Sequence, residues 1–284
     1  MTDPSYYVPL AQAAEDAGYD SFLIADSISY PAESMTGYPY NPDGTREFLE
    51  NKPFIEPFVL MGALSAVTTR LRFVTFVLKL PIRPPALVAK QAMSLAVISG
   101  NRFALGVGTS PWPEDYEVLG VPWARRGRRM DECIEIIRGL SSGEWFEYSG
   151  EVYSVPRIKM TPAPTEPIPI LLGGHGEAAL RRAARLGDGW LFAAGPGDEL
   201  RRCIARLDEL RREYGHEGEP FEIHASGIEA FSADGLRELE DLGVTDVIVG
   251  FRDPYARGPD VQPLQEKLDH LRRYADEQMA KARA

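Results

Sequence analysis

Short, continuously apolar runs alternate with helix-period segments along most of the chain, and this constrains the fold more than any other feature. Seven runs read as strands: residues 21–25, 71–78, 102–107, 168–172, 189–193, 221–225 and 244–249. Helical periodicity covers residues 9–18, 57–69, 85–99, 125–140, 177–186, 198–214, 233–242 and 264–279. Strands rejoined through helices pair in parallel, because each crossover returns the chain to the same end of the sheet. Strands that are apolar without alternation are covered on both faces. The pattern predicts an α/β chain folded as one (β/α)8 TIM barrel over residues 1–284, with seven of its eight strands visible. The first strand is the missing one. Met1-Thr2-Asp3-Pro4-Ser5 is polar and turn-forming and cannot replace a buried strand. Phe22 to Ile24 and Val247 to Val249 are then expected to present open edges, which something must cover. The cover would be a distortion that brings the two strands together, a partner subunit, or a strand encoded upstream of Met1.

Two segments interrupt the repeat. Residues 27–56 form a long insertion rich in Tyr, Pro and Gly, and long loops in compact domains commonly serve as lids or binding loops. Residues 144–169 read as a small hairpin followed by a Pro-rich linker, whose missing N–H groups end regular structure.

Hydrophobic residues are 44% of the chain and charged residues 26%, enough for a full core. The net charge of −11, with no run of Lys and Arg, argues against a nucleic-acid or anionic-membrane surface. No apolar stretch reaches the roughly 18 residues of a membrane span. The N-terminus lacks the basic-then-apolar order of a signal peptide. Cys133 and Cys203 lie far apart in helical patterns and read as reduced packing residues. The expectation is a soluble cytoplasmic protein.

Several loops between strand and helix carry candidate chemistry. Gly106-Val107-Gly108 begins like a dinucleotide turn, but Pro111 stands where the third glycine belongs. Gly108-Thr109-Ser110-Pro111-Trp112 resembles a nucleophile elbow that ends in Trp instead of the required small residue. The plainer reading is a loop at the C-terminal end of a barrel strand, where barrels bind substrate. Gly173-Gly174-His175-Gly176 precedes a helix, and its backbone N–H groups suit a phosphate. His175 is either a base or a turn residue, with the turn favoured. His224 alternates with Phe221 and Ile223 and faces inward, toward the barrel mouth, as a satisfied core histidine rather than a ligand. The four histidines and two cysteines show no metal-ligand spacing, so no metal is expected. Asp26, with Ser27 after it, ends a strand at the functional rim; its alternative role is a loop hydrogen bond.

Residues 86–108 (ALVAKQAMSLAVISGNRFALGVG), 114–132 (EDYEVLGVPWARRGRRMDE) and 170–190 (ILLGGHGEAALRRAARLGDGW) carry a resemblance, together with 11–27 (AQAAEDAGYDSFLIADS). Taken together they resemble the luciferase-like monooxygenase superfamily of flavin- and deazaflavin-dependent barrels over nearly the whole chain. The segment YPYNPDGTREFLENKPFIEPF is similar to the subgroup of F420-dependent oxidoreductases. The resemblance implies a luciferase-like TIM barrel with a non-prolyl cis peptide at Thr75–Phe76, against which the cofactor ring rests. It implies cofactor contacts at Thr75, Phe76, Lys79, Gly108, Thr109, Gly173, Gly174, His175 and Gly176. The family's strand-ending carboxylate matches Asp26. Members often place His next, where this chain has Ser27. Some deazaflavin dehydrogenases carry a catalytic Glu where this chain has Pro111, which disfavours sugar-phosphate dehydrogenation. Asp115 matches a common family carboxylate and is expected to pair with Arg126 or Arg129.

The implied function is hydride transfer between coenzyme F420 and a small organic substrate, in a homodimer. Asp26 and Ser27 are the catalytic candidates. Tyr38, Tyr40, Phe76 and Trp112 would wall the pocket, while Lys79 and Arg83 would meet the anionic tail of the coenzyme. The alternatives are an FMN-dependent luciferase-like monooxygenase and a non-catalytic flavin-binding homologue, the latter prompted by Ser27 and Pro111.

Overall fold

The computed structural model describes residues 3–33, 36–38, 41, 43–193, 195, 197–253 and 255–282. The chain opens with α1 (Tyr7–Asp16) and then β1 (Ser21–Ile24). After the insertion come α2 (Pro57–Ser65), β2 (Arg72–Thr75) and β3 (Leu78–Lys79). Next are α3 (Pro85–Ser99), β4 (Phe103–Gly108), α4 (Pro113–Val118) and α5 (Arg126–Ser141). β5 (Phe146–Ser149) and β6 (Ser154–Ile158) form the expected antiparallel hairpin. The last third contains β7 (Ile170–Gly173), α6 (Glu177–Leu186), β8 (Gly189–Phe192) and α7 (Gly197–Tyr214). It ends with β9 (Glu222–Ser226), α8 (Ala233–Asp241), β10 (Asp246–Ile248) and α9 (Leu264–Tyr274). No helix among the described residues is long and apolar enough to cross a membrane.

The barrel strands pair in parallel in the order β1-β2-β4-β7-β8-β9-β10, with β3 continuing the line of β2 along β4. All seven expected strands are present. The second is split at Phe76 and Val77, between which lies the cis peptide. The family-derived expectation had put that bond one residue earlier, at Thr75–Phe76. Sequence periodicity also missed α4, a six-residue helix. Among the described residues β1 and β10 do not pair, so the sheet curls without closing.

Two cores follow from the alternation along the strands. Inside the curl, Val74, Ala104, Leu171 and Leu191 pack together, with Leu23, Phe76 and Val77 against them. Outside it, residues such as Phe73, Phe103, Leu105, Leu172 and Trp190 bury against the helices. Cys133 and Cys203 are buried and unbridged, and burial pushes the Cys133 thiol up to about 12.

Carboxylates tie elements that the ladder does not. Glu132 of α5 is fully buried and accepts backbone N–H groups of Glu151 (2.8 Å), Val152 (3.0 Å) and Tyr153 (2.8 Å), which fastens the hairpin to the barrel. Glu15 accepts the N–H groups of Thr69, Arg70 and Leu71 at the entry to β2. Glu222 accepts both terminal nitrogens of Arg72 across the curl, each at 2.8 Å.

Burial pushes the Glu15 carboxyl up, but the three backbone donors outweigh it and hold the group near about 2. Burial acts the same way on Glu222, where His224 and Arg72 bring it to about 2. Folded values below the ordinary carboxylate range of about 4.3 mean that the native state favours the ionised form. Their contribution is complete above that range and is lost as pH falls toward about 2. Thermal midpoints should hold steady from neutrality to about pH 5 and then drop steeply. The double variant Glu15→Gln, Glu222→Gln should lower the plateau and flatten the acid limb. An unchanged acid limb in thermal melts would remove both groups from the account.

Candidate active site

The C-terminal ends of the strands bring most of the candidate residues to one rim. Asp26 lies two residues beyond β1 and is almost wholly buried. Its Oδ2 accepts the backbone N–H of Lys79 at 2.9 Å, and its Oδ1 accepts Arg83 Nη2 at 2.9 Å. Asp26 therefore joins the first strand to the segment after the cis peptide. Lys79 Nζ lies 2.8 Å from Asp115 Oδ2, with both side chains buried. This corrects the expected pairing of Asp115: Arg129 donates instead to the Pro122 carbonyl, and Arg126 lies over the Trp123 ring. Burial lowers the pKa of Lys79, and the Asp115 charge opposes that shift.

Ser110 is held at φ 58° and donates to Asp115 Oδ2 at 2.5 Å, while its Oγ accepts the Trp112 N–H at 3.1 Å. Neither of these partners is a histidine, so the elbow-like motif lacks the base that a nucleophilic serine needs. Two cations lie over the Trp112 ring, Arg46 at 4.0 Å and Lys79 at 4.5 Å from its centroid. Arg46 belongs to the insertion and pairs with Glu114 at 3.5 Å. Tyr38, also of the insertion, packs 5.6 Å from Trp112 and 5.8 Å from Tyr255. Tyr38 and Arg46 of the insertion thus reach the rim and meet Trp112 there. Tyr40 falls outside the described residues. Ser27 is half-buried, and its hydroxyl reaches the Ser29 carbonyl only at 3.5 Å.

The floor of the rim is apolar and nearly free of side-chain relief. Val77 sits between two glycines: a Cβ on Gly108 would come 2.8 Å from its Cγ2, and one on Gly173 would come 3.1 Å from its Cγ1. Thr75 is fully buried and donates to the Gly106 carbonyl at 2.7 Å, so its side chain holds the floor from below. The Thr109 carbonyl accepts the Tyr116 hydroxyl, which anchors the loop after β4.

The glycine loop after β7 is held by Trp190, whose Nε1 donates to the Gly174 carbonyl at 2.9 Å. Gly174 has φ 117°, which a side chain would strain. His175 turns inward, stacks on Phe192 at 4.3 Å, and places Nδ1 3.2 Å from Glu199 Oε1. Burial lowers its pKa and Glu199 opposes the shift. Helix α6 starts at Gly176 without a side-chain cap, and the space a Cβ would take there is open. Its first N–H groups have no intrahelical acceptor and suit an anion.

His224 is fully buried inside the curl, as read from the alternation, but deep among charges rather than at the mouth. Its Nε2 lies 2.7 Å from Glu222 and 3.3 Å from Asp246. The donor atoms of these three residues lie within 4.8 Å of one another, a grouping that the linear spacing did not suggest. Arg72 occupies both oxygens of Glu222, so the arrangement reads as an ion-pair network.

The profile of the luciferase-like monooxygenase family matches residues 1–284. An uncharacterized protein of Mycobacterium tuberculosis is 64% identical over 281 residues, covering 99% of this chain and 97% of the relative. The F420-dependent glucose-6-phosphate dehydrogenase of Nakamurella multipartita is 32% identical over 224 residues, covering 73% of this chain and 61% of that enzyme. Among solved structures, the monooxygenase RslO1 from Streptomyces bottropensis superposes with a TM-score of 0.76 at 17% identity, over 97% of this chain and 92% of its own.

Proposed function

The chain belongs to the luciferase-like monooxygenase family, and on that premise we propose that it is an oxidoreductase moving a hydride between coenzyme F420 and a small organic substrate. The observation that carries this reading is the apolar floor of Leu23, Phe76 and Val77, flanked by Gly108 and Gly173, with an open helix N-terminus beyond it. A flat ring fits such a floor, and the phosphate of its tail fits the donors at Gly176. When bound, the deazaflavin supplies the hydride chemistry. The chain's residues do the rest. Gly173, Gly174 and Gly176 admit the tail, Lys79 and Asp115 hold a proton-carrying pair at the rim, and Tyr38 with Trp112 excludes water. Asp26 positions Lys79 and Arg83. With the Nakamurella relative using F420, the sequence likeness favours the deazaflavin.

The second reading is an FMN-dependent luciferase-like monooxygenase, in keeping with the description of the family. Separate fluorescence titrations with F420 and FMN divide the two. Tighter F420 binding is expected. Tighter FMN binding with substrate-dependent oxygen uptake would reverse the assignment. We also read the chain as a homodimer, because Val59 of α2 and Leu87 and Ile98 of α3 stand exposed on neighbouring helices, and as cytoplasmic, in line with the unbridged Cys133 and Cys203.

A further inference from the structure

The start of α5 is crowded with positive charge, in a chain whose net charge is −11. Arg125, Arg126, Arg128 and Arg129 occupy its N-cap and first turn, where no acidic residue stands. The N-terminal end of a helix dipole favours anions, so arginines there work against α5 itself. Two of the four have structural partners. Arg128 pairs with Glu132 at 3.1 Å and Glu151 at 3.2 Å, and the buried Arg129 donates to the Pro122 carbonyl at 2.8 Å. The other two are less engaged. Arg125 is exposed and meets only Glu151, which it shares with Arg128. Arg126 has no carboxylate partner among the described residues, and its guanidinium lies 3.9 Å over the Trp123 ring. A guanidinium over an aromatic face keeps its in-plane N–H donors for a carboxylate.

This charge adjoins the start of α6. The Arg182 guanidinium donates to the Gly127 carbonyl of α5 at 3.2 Å and to the Ala178 carbonyl of its own helix at 3.4 Å. Ala178 is only about 3 Å along the helix axis from Gly176, where the phosphate donors lie. Arg182 and Arg185 share one carboxylate, Asp131, at 2.5 and 2.6 Å. Six arginines thus stand against Asp131, Glu132 and Glu151, an excess of three positive charges. Glu177, at the head of α6, is matched separately by Arg181 and Arg206.

Resting on the F420 reading above, we propose that Arg125 and Arg126 bind the carboxylates of the coenzyme's oligoglutamate tail as it leaves the phosphate site at Gly176. Each γ-linked glutamate presents a free carboxylate, so a longer tail meets more of the positive field. FMN has no such tail. Lys79 and Arg83 leave it no free charge, being matched by Asp115 and Asp26. Because Arg125 is exposed and Arg126 only half-buried, salt should screen the attraction.

The test titrates the full chain with F420 bearing one glutamate or five, followed by deazaflavin fluorescence. At about 20 mM salt the longer tail should bind about tenfold more tightly, and at about 0.5 M the advantage should fall below about twofold. The double variant Arg125→Gln, Arg126→Gln should erase the advantage at low salt while keeping the one-glutamate affinity within about threefold. If that variant does not fold, Arg126→Gln alone decides, with about a threefold loss for the longer tail expected. Equal affinity of the unaltered chain for the two tails, or an advantage that survives the arginine substitutions, would overturn this inference and leave the F420 reading standing. Absence of saturable binding with either tail would overturn both.

Discussion

Replacing Gly176 with Asp is expected to leave the protein folded and to weaken F420 binding by about a hundredfold at moderate salt. Gly176 has φ −73° and ψ 153°, a conformation open to any residue, and its Cβ position is empty space. Asp is also a favoured residue at a helix N-cap, so α6 should gain rather than lose stability. The effect on the ligand has the opposite sign. A carboxylate a few ångströms from a phosphate costs about 3 kcal/mol at an effective dielectric near 20. Gly176→Asn supplies the same cap without the charge and should keep most of the affinity. Fluorescence titration of the three proteins, with melts to confirm folding, checks this. Equal affinity in the Asp and Asn variants would remove the loop from the phosphate site. Gly174→Asp should abolish binding as well. That variant separates the causes poorly, because φ 117° and an Ala179 Cβ 2.8 Å from the new Cβ strain the backbone too.

Glu132→Ala is expected to be the most destabilising single change considered. It strands the N–H groups of residues 151–153 and removes one of the two carboxylates beside Arg128 Nε, which keeps Glu151 at 3.2 Å. Leaving backbone N–H groups without an acceptor costs about 1–3 kcal/mol each, about 3–5 kcal/mol together here, which for a chain of this size is a fall in midpoint of about 6–15 °C. Glu132→Gln should recover part of it, since the amide oxygen still accepts. Differential scanning calorimetry provides the measure, and a fall of less than about 2 °C for the Ala variant would show that the hairpin holds without this carboxylate.

The strand and helix order was legible because burial on both faces writes itself into consecutive apolar residues, as in Phe103 to Val107. α4 was not found by periodicity, which needs more than six residues, although Pro113 followed by Glu114 and Asp115 is a helix-start signal. Spacing does not reveal the position of the cis bond, and the family-derived position was one residue off. The partner of Asp115 was misjudged because nearby arginines were preferred to Lys79, which is 36 positions away in sequence and adjacent only once β3 and β4 pair. The glycine loop was legible as a backbone feature. The inward turn of His175 was not, because it depends on Phe192 from the next strand.

Lys79 and Arg83 were expected to be available to an anionic tail, yet each is matched inside the protein, Lys79 by Asp115 and Arg83 by Asp26, as is Arg46 by Glu114. An arriving ligand therefore meets no surplus charge from these pairs, only aromatic faces and backbone dipoles. Buried pairs of this kind are poorly screened by salt, so the rim should keep its shape from dilute buffer to high ionic strength. Recognition there turns on outline and hydrogen-bond direction, and two cofactors of similar charge would be told apart by the length and bend of their tails.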